Sequence, residues 1–367
     1  MTATQRPGLF IFSTFIYFLF IAADSNAQLH ISGKVVSEQT GLPISGASIY
    51  FNNTSIGTSS NAKGEFVFNG VGIVNTELII SSVGYEILIF KLDPATPNGK
   101  YFLCKLSIKE QQLKEVLILS DARKKQYLAL FKENFLGVTE EAAKSNILNL
   151  NDIYFTKGEI KNSFKAYADT PLVIINHMLG YKIYFQLIEF SFDEHSGRTY
   201  FYGYTRYEEL GFKKRWIKNR RDAYYGSTLH FYRSLVRDQL PNEKYDIYIV
   251  KNMQKDSTAP AMSMGISTTA AQIVSIDSAD SNYYRVSVPS RKLMVQFKKN
   301  PASKIYLGKK FLLQGSTPFG FRSDVVLNGP YFLVDHNGII KDPLSVEYTG
   351  YWIYEKSANL LPYNYEP

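Results

Sequence analysis

From residue 31 to residue 119 the sequence alternates between short apolar runs and turn-forming residues, a rhythm that only short strands packed face to face can satisfy. Residues 31–36 alternate, TGLP at 40–43 turns, 47–51 alternate, and Asn61 with Gly64 turns the chain into 65–68. Residues 78–81, 87–92, 101–106 and 116–119 continue at the spacing of a sandwich. A small antiparallel β-sandwich is expected over residues 28–120. The whole chain has 367 residues, 45% of them hydrophobic, with 27 Tyr and 25 Phe. That is enough for more than one core, and the aromatic excess favours half-buried pleated surfaces.

The start of the chain reads as an export leader. Arg6 precedes an apolar run over residues 9–23, and Ser25 and Ala27 are small residues where a signal peptidase needs them. Cleavage is expected after Ala27, because about 15 apolar residues fall short of the roughly 20 that span a bilayer. Position 28 is Gln, not the Cys of a bacterial lipoprotein. No later apolar run is long enough to cross a membrane as a helix. A strand-built outer-membrane barrel is disfavoured by strands too short to cross and by a terminus ending in Pro367 where such barrels close on an aromatic. Cys104 is the single cysteine, so neither an internal disulfide nor a Cys-based metal site can form, and a buried small hydrophobe is expected there.

Charge marks a second boundary. Residues 28–120 hold seven Lys against seven acidic residues, whereas residues 121–367 hold 33 basic and 25 acidic, the entire excess of +8. This expected second domain should be basic, helix-containing and rich in β structure. Ser120 can cap a helix through Phe135 with Gly137 as its stop, and Thr139 can cap a short second helix. Residues 182–192 and 198–207, joined by DEHSG, form an expected hairpin. Further strands are expected at 245–251, 284–288, 293–298, 304–307, 310–313, 331–334 and 345–354, with a long loop over 254–282 holding at most one short strand, AQIVSI at 271–276. Trp352 and Tyr354 would lie on one side of the last strand.

The string ISGKVVSEQTGLPISGASIYFNNTSIGTSSNAKGEFVF, followed by SSVGYE, resembles the carboxypeptidase regulatory-like domain, a transthyretin-like (prealbumin-like) sandwich. The resemblance implies a packing or interaction module without catalytic residues, of the kind that accompanies metallocarboxypeptidases or stands at the N-terminus of TonB-dependent receptors. Beyond it, FKENFLG, PLVIINHMLGYKIYFQLIEF, RRDAYYGSTLHFYRSL and GYWIYEKSANLLPYNYEP resemble a family of Bacteroidota envelope proteins whose second part has no assigned activity.

Catalytic signatures are missing. None of His30, His177, His195, His230 and His336 is followed by Glu three residues on, so the zinc pair of carboxypeptidases is absent, as are HExxH, GxSxG, Walker and GxGxxG motifs. His195 and His336 are expected in exposed turns. DSADSN at 277–282 lacks the Gly and Glu of a calcium loop. The unusual feature is KKRWIKNRR, residues 213–221, with six basic residues in nine. Export argues against nucleic acid. Downstream, Ser227 can cap a helix reaching to about Leu240, with Leu229, Tyr232 and Val236 as its buried stripe and His230, Arg233 and Arg237 on another face. Lys213, Lys214, Arg215, Lys218, Arg220, Arg221, Ser227, His230 and Arg233 are therefore the candidate residues for an anion or partner site. The expectation is a non-catalytic protein of the periplasm or outer-membrane periphery, with no metal or cofactor, whose partner is an outer-membrane protein or an anionic glycan or lipid. The alternatives are an envelope hydrolase built around His230 and a structural subunit of a receptor or secretion assembly.

Overall fold

The computed structural model describes residues 28–71, 77–92, 99–110, 117–250, 265–299, 316–317 and 320–367. The expected leader and the expected strands at 304–307 and 310–313 lie outside them. The N-terminal sandwich comprises β1 (Gln28–Ser37), β2 (Ser48–Phe51), β3 (Gly57–Ser59), β4 (Glu65–Val71), β5 (Glu77–Ser81), β6 (Leu88–Lys91) and β7 (Tyr101–Leu106). Two sheets, ordered β4-β1-β7 and β3-β2-β5-β6, enclose Ile31, Val35, Ile49, Phe51, Leu78, Ile80 and Phe102. One pairing departs from the expected antiparallel pattern: β7 returns parallel to β1. Cys104 sits in this core, where burial pushes its thiol up to about 12.

The chain then forms α1 (Asp121–Leu136), α2 (Glu140–Ala143), β8 (Ser145–Ile147), β9 (Tyr154–Lys157), β10 (Ser163–Tyr167), β11 (Leu172–Asn176), β12 (Tyr181–Asp193) and β13 (Thr199–Glu209). Ser120 and Thr139 cap α1 and α2 as expected, accepting from the Arg123 and Ala142 amides. The 13-residue β12 organises this sheet. One of its edges serves β11 along its first half and β10 along its second, and the other edge pairs with β13 throughout. Helix α1 lies across the inner face, where Phe131 meets Phe190 at 4.6 Å and Phe135 meets Phe185 at 4.9 Å, ring centre to ring centre.

A third core follows. Helix α3 (Lys214–Tyr224) leads to it but packs Ala223 and Tyr224 on the second core; the third is built from α4 (Thr228–Val236), β14 (Tyr245–Val250), β15 (Gly265–Thr268), α5 (Ala270–Ile273), β16 (Val274–Ile276), β17 (Tyr283–Ser287), β18 (Lys292–Phe297), β19 (Ser316–Thr317), β20 (Gly320–Leu327), β21 (Tyr331–Asp335) and β22 (Val346–Gly350). Its sheets are ordered β15-β14-β18-β20-β19, with β22 beside β20, and β16-β17-β21. The region after residue 121 thus contains two cores. Part of the loop expected over 254–282 is instead β15 and α5, while β16 lies within the one short strand expected at 271–276. The last expected strand stops at Gly350, whose positive φ of 74° turns the chain into a single 3-10 turn, Tyr351–Tyr354. Trp352 is consequently buried, donating to the Gly226 carbonyl at 2.8 Å, rather than alternating with Tyr354 along a strand.

The α4 helix ends at Val236, four residues short of the expected Leu240, and is buried nearly all round. Arg233, 2% exposed, explains why. Its guanidinium donates to three backbone carbonyls, those of Asn337 at 3.0 Å, Tyr365 at 2.8 Å and Tyr363 at 2.8 Å. The charge is further balanced by Glu366 at 3.6 Å. The tail it holds reaches the sandwich, where the Tyr363 amide donates to the Asn53 carbonyl at 2.7 Å and Asn364 pairs with Ser55. Replacing Arg233 by Met would keep the hydrocarbon stem but leave these carbonyls without donors, at about 3–5 kcal/mol. Arg233→Met is therefore expected to lower the urea midpoint strongly and to expose the last dozen residues to carboxypeptidase digestion; an unchanged midpoint and a protected tail would contradict this role.

Candidate anion-binding site around helices α3 and α4

The basic stretch 213–221 is helical, and its helix divides the expected site residues into two groups. One group faces the turn between β11 and β12, at residues 177–180. Trp216 Nε1 donates to the His177 carbonyl at 3.0 Å, Asn219 Nδ2 to Met178 at 2.7 Å, and Arg220 Nε to Leu179 at 2.8 Å. Arg220 also donates to the Gly180 carbonyl at 3.1 Å, pairs with Glu209 at 3.0 Å and lies 3.9 Å over the Tyr181 ring. Side chains spaced three and four apart thus take four consecutive carbonyls of the sharp turn, the last of which, Gly180, also accepts from the Leu210 amide at 3.0 Å. Gly180 makes the fit: its φ is +71°, and an added Cβ would stand 2.2 Å from Trp216 Cδ2.

The other group points outward. Lys213, Lys214, Arg215, Lys218 and Arg221 are exposed. Lys213 lies 4.5 Å over the Trp216 ring, and Lys218 pairs with Asp222 one turn on. Phe212, immediately before the helix, is 81% exposed, and Leu210 is partly so. Phe212 was not among the expected site residues, although its position beside three consecutive cations was visible in the sequence.

Ser227, His230 and Arg233 do not join this exposed face. Ser227 caps α4, accepting from the His230 amide at 3.1 Å. The His230 ring is 2% exposed, with Nδ1 accepting from the Gly226 amide at 3.1 Å and 2.9 Å from the Tyr245 hydroxyl, and Nε2 3.1 Å from Glu243. That network assigns a neutral ring with its proton on Nε2. Burial holds the imidazole below its usual range, partly opposed by Glu243. With both nitrogens engaged inside the protein, His230 offers no base to a substrate, and a hydrolase built around it has no geometric support. Arg220 and Arg233 are likewise committed to backbone carbonyls. His195 and His336 lie in exposed turns, as expected. Among the described residues no three His, Cys, Asp or Glu side chains are grouped as metal ligands.

Glu355 was also not anticipated. It accepts from the Thr228 amide at 3.2 Å and from the Thr228 hydroxyl at 2.9 Å, at the start of α4, beside a cavity of about 10 Å3 lined by Thr139, Asp222 and Asn359. Burial pushes its carboxyl up to about 7, outweighing both hydrogen bonds.

Two predictions follow from this geometry. Gly180→Ala should loosen α3 and shift Trp216 emission to the red, at a cost of a few kcal/mol from clash and strain; unchanged emission would mean that the turn does not hold the helix. In acid, Glu355 keeps a proton that the unfolded chain releases above about 4.5, so its contribution to stability falls as pH rises toward 7. His230 acts in the opposite sense, its lowered folded value removing stability as pH falls below 6.5. Glu355→Gln should therefore gain on the parent chain as pH rises from 5 to 7.5 in thermal melts, and parallel melting profiles would refute the assignment.

Residues 31–118 match the family model of the CarboxypepD_reg-like domain. No curated protein matches the chain. Among solved structures, a Bacteroides fragilis protein of unknown function, proposed to be membrane-associated, matches at 12% identity and TM-score 0.17, over 44% of this chain and 65% of its own. A Bacteroides uniformis protein proposed to bind carbohydrate matches at 10% identity and TM-score 0.19, over 50% of this chain and 80% of its own. A Bacteroides ovatus protein of the DUF3823 family matches at 10% identity and TM-score 0.17, over 50% and 82%. Scores this low carry no argument about the second part of the chain. Among the described residues, no helix is long and apolar enough to cross a membrane. The N-terminal sandwich thus carries the match to the CarboxypepD_reg-like domain family, over residues 31–118.

Proposed function

We propose that this chain is a non-catalytic binding protein of the cell envelope, exported to the periplasm or the outer-membrane periphery, whose α3 helix docks on anionic lipid phosphates. The observation that carries the reading is the exposed face of α3: Lys213, Lys214, Arg215 and Arg221 project from a helix that Trp216 and Arg220 hold rigidly from behind. Cations on a fixed scaffold lose little conformational freedom on binding. The exposed Phe212 ring beside them adds an apolar group that can enter the headgroup boundary while the cations meet phosphates. Each such cation contributes about 1 kcal/mol near an anionic surface. The sandwich fits the same reading as an interaction module, since no catalytic family accompanies it.

The experiment is co-sedimentation with vesicles rich in phosphatidylglycerol, with phosphatidylcholine vesicles as the control. Binding should be confined to the anionic vesicles and should weaken as salt is raised past about 0.15 M. The K213S/K214S/R215S/R221S variant, which spares the buried Arg220, should lose roughly a thousandfold in affinity, and Phe212→Ser should lose less without changing the salt dependence. Binding that ignores salt, or that survives the fourfold variant, would refute the proposal.

A further inference from the structure

The regulatory-like sandwich meets the second part of the chain along a seam. The Asn53 amide donates to the Thr205 carbonyl at 2.7 Å, the Tyr207 amide to the Thr54 carbonyl at 2.9 Å, and the Thr205 amide to Asn52 Oδ1 at 3.0 Å, while Tyr50 and Ile79 pack on Tyr204. Beside this seam the two surfaces diverge and leave a cleft of about 290 Å3. One wall is the turn of the sandwich at residues 82–86. The other is the outer face of the β12 sheet.

Strand alternation dictates what lines that outer face. Phe155 on β9 and Phe164 and Ala166 on β10 point inward to α1, so Tyr154 and Tyr167 must point outward. They stand directly opposite each other in register, with ring centres 5.8 Å apart and planes 27° from parallel. The Tyr154 hydroxyl donates to Asp169 Oδ1 at 3.3 Å, and burial together with the Asp169 charge pushes it up to about 12, so it stays a donor. Gln186 on β12 lines the same cleft, as do Glu86 and Lys109 from the sandwich side.

We propose that this cleft binds a neutral sugar, with the paired rings of Tyr154 and Tyr167 as its floor and Asp169, Gln186 and Glu86 bonding the ring hydroxyls. The two half-buried rings stack on each other, and the ring surface they leave open offers flat apolar area to the C–H face of a pyranose. Carboxylate and amide groups present paired acceptors and donors that match neighbouring hydroxyls. The volume suits one or two such rings, at the lower end of the roughly 300–1,000 Å3 of small-molecule sites. Charge decides against an anion: Asp169 and Glu86 face the cleft against Lys109 alone among its charged lining residues. The ligand class is thus different from that of α3, and the two sites are independent.

The test is calorimetric titration of the full chain with maltohexaose, cellohexaose, mannohexaose and chitohexaose, with inorganic phosphate as the anionic probe. At least one hexasaccharide should bind in the micromolar to millimolar range. Tyr167→Ala and Gln186→Ala should each weaken it tenfold or more, and the K213S/K214S/R215S/R221S variant should bind it unchanged. Asp169 is exposed, so Asp169→Asn tests the site without threatening the fold and should weaken binding severalfold. Failure of all four sugars, binding indifferent to Gln186→Ala and Asp169→Asn, or phosphate binding that persists in the K213S/K214S/R215S/R221S variant and competes with the sugar would overturn the proposal.

Discussion

A guanidinium taken out of water needs acceptors for all its donors, and that requirement at Arg233 shapes the second half of this molecule. The three carbonyls it takes come from the turn after β21 and from two residues near the C-terminus. The chain between Glu355 and Glu366 is thereby drawn across the molecule. On the way Asn176 donates to the Ala358 carbonyl at 2.9 Å, and Asn359 joins Thr139 and Glu141 beneath α2. Beyond it, Tyr363 and Asn364 meet the β2–β3 turn of the sandwich. One buried cation thus fixes a tail that touches all three cores. Gly338 permits the arrangement, since an added Cβ there would stand 2.8 Å from the Arg233 amide.

The same chemistry explains why the basic stretch 213–221 cannot be read from composition. Six cations in nine residues look like a uniform surface, yet Arg220 is spent on the carbonyls of a turn forty residues upstream, while Lys213, Lys214, Arg215 and Arg221 face water. The difference lies in which helical face meets the 177–180 turn. That is a tertiary fact: residues 216, 219 and 220 are the anchoring set only because Gly180 lets Trp216 approach.

Local signals carried the elements whose stability is local. The caps of α1 and α2, the hairpin of β12 and β13, and most strands of the sandwich follow from side-chain period and turn residues alone. Where a long-range contact competes with local preference, the sequence misleads. Residues 351–354 alternate like a strand, but Trp352 finds the Gly226 carbonyl by closing a 3-10 turn. His230 and Arg233 share a helix face as expected, but that face is inside, because Glu243, Tyr245 and the tail supply partners. Tyr154 and Tyr167 carry no motif; their pairing follows from the register of β9 and β10.

Both proposed surfaces are consequences of how interior demands leave the exterior. Helix α3 commits its indole, amide and one guanidinium to a turn, and the unspent cations form the outward face. The β12 sheet commits every second residue to α1, and the sandwich covers the other face only in part, at Tyr204 and Thr205. The rings beyond that contact are left in a cleft with walls from two domains. Any molecule lying there touches the 82–86 turn and the sheet together, so its binding energy depends on the Asn52, Asn53 and Thr54 seam that sets their separation. The sandwich then serves as one jaw of a site that neither domain forms alone.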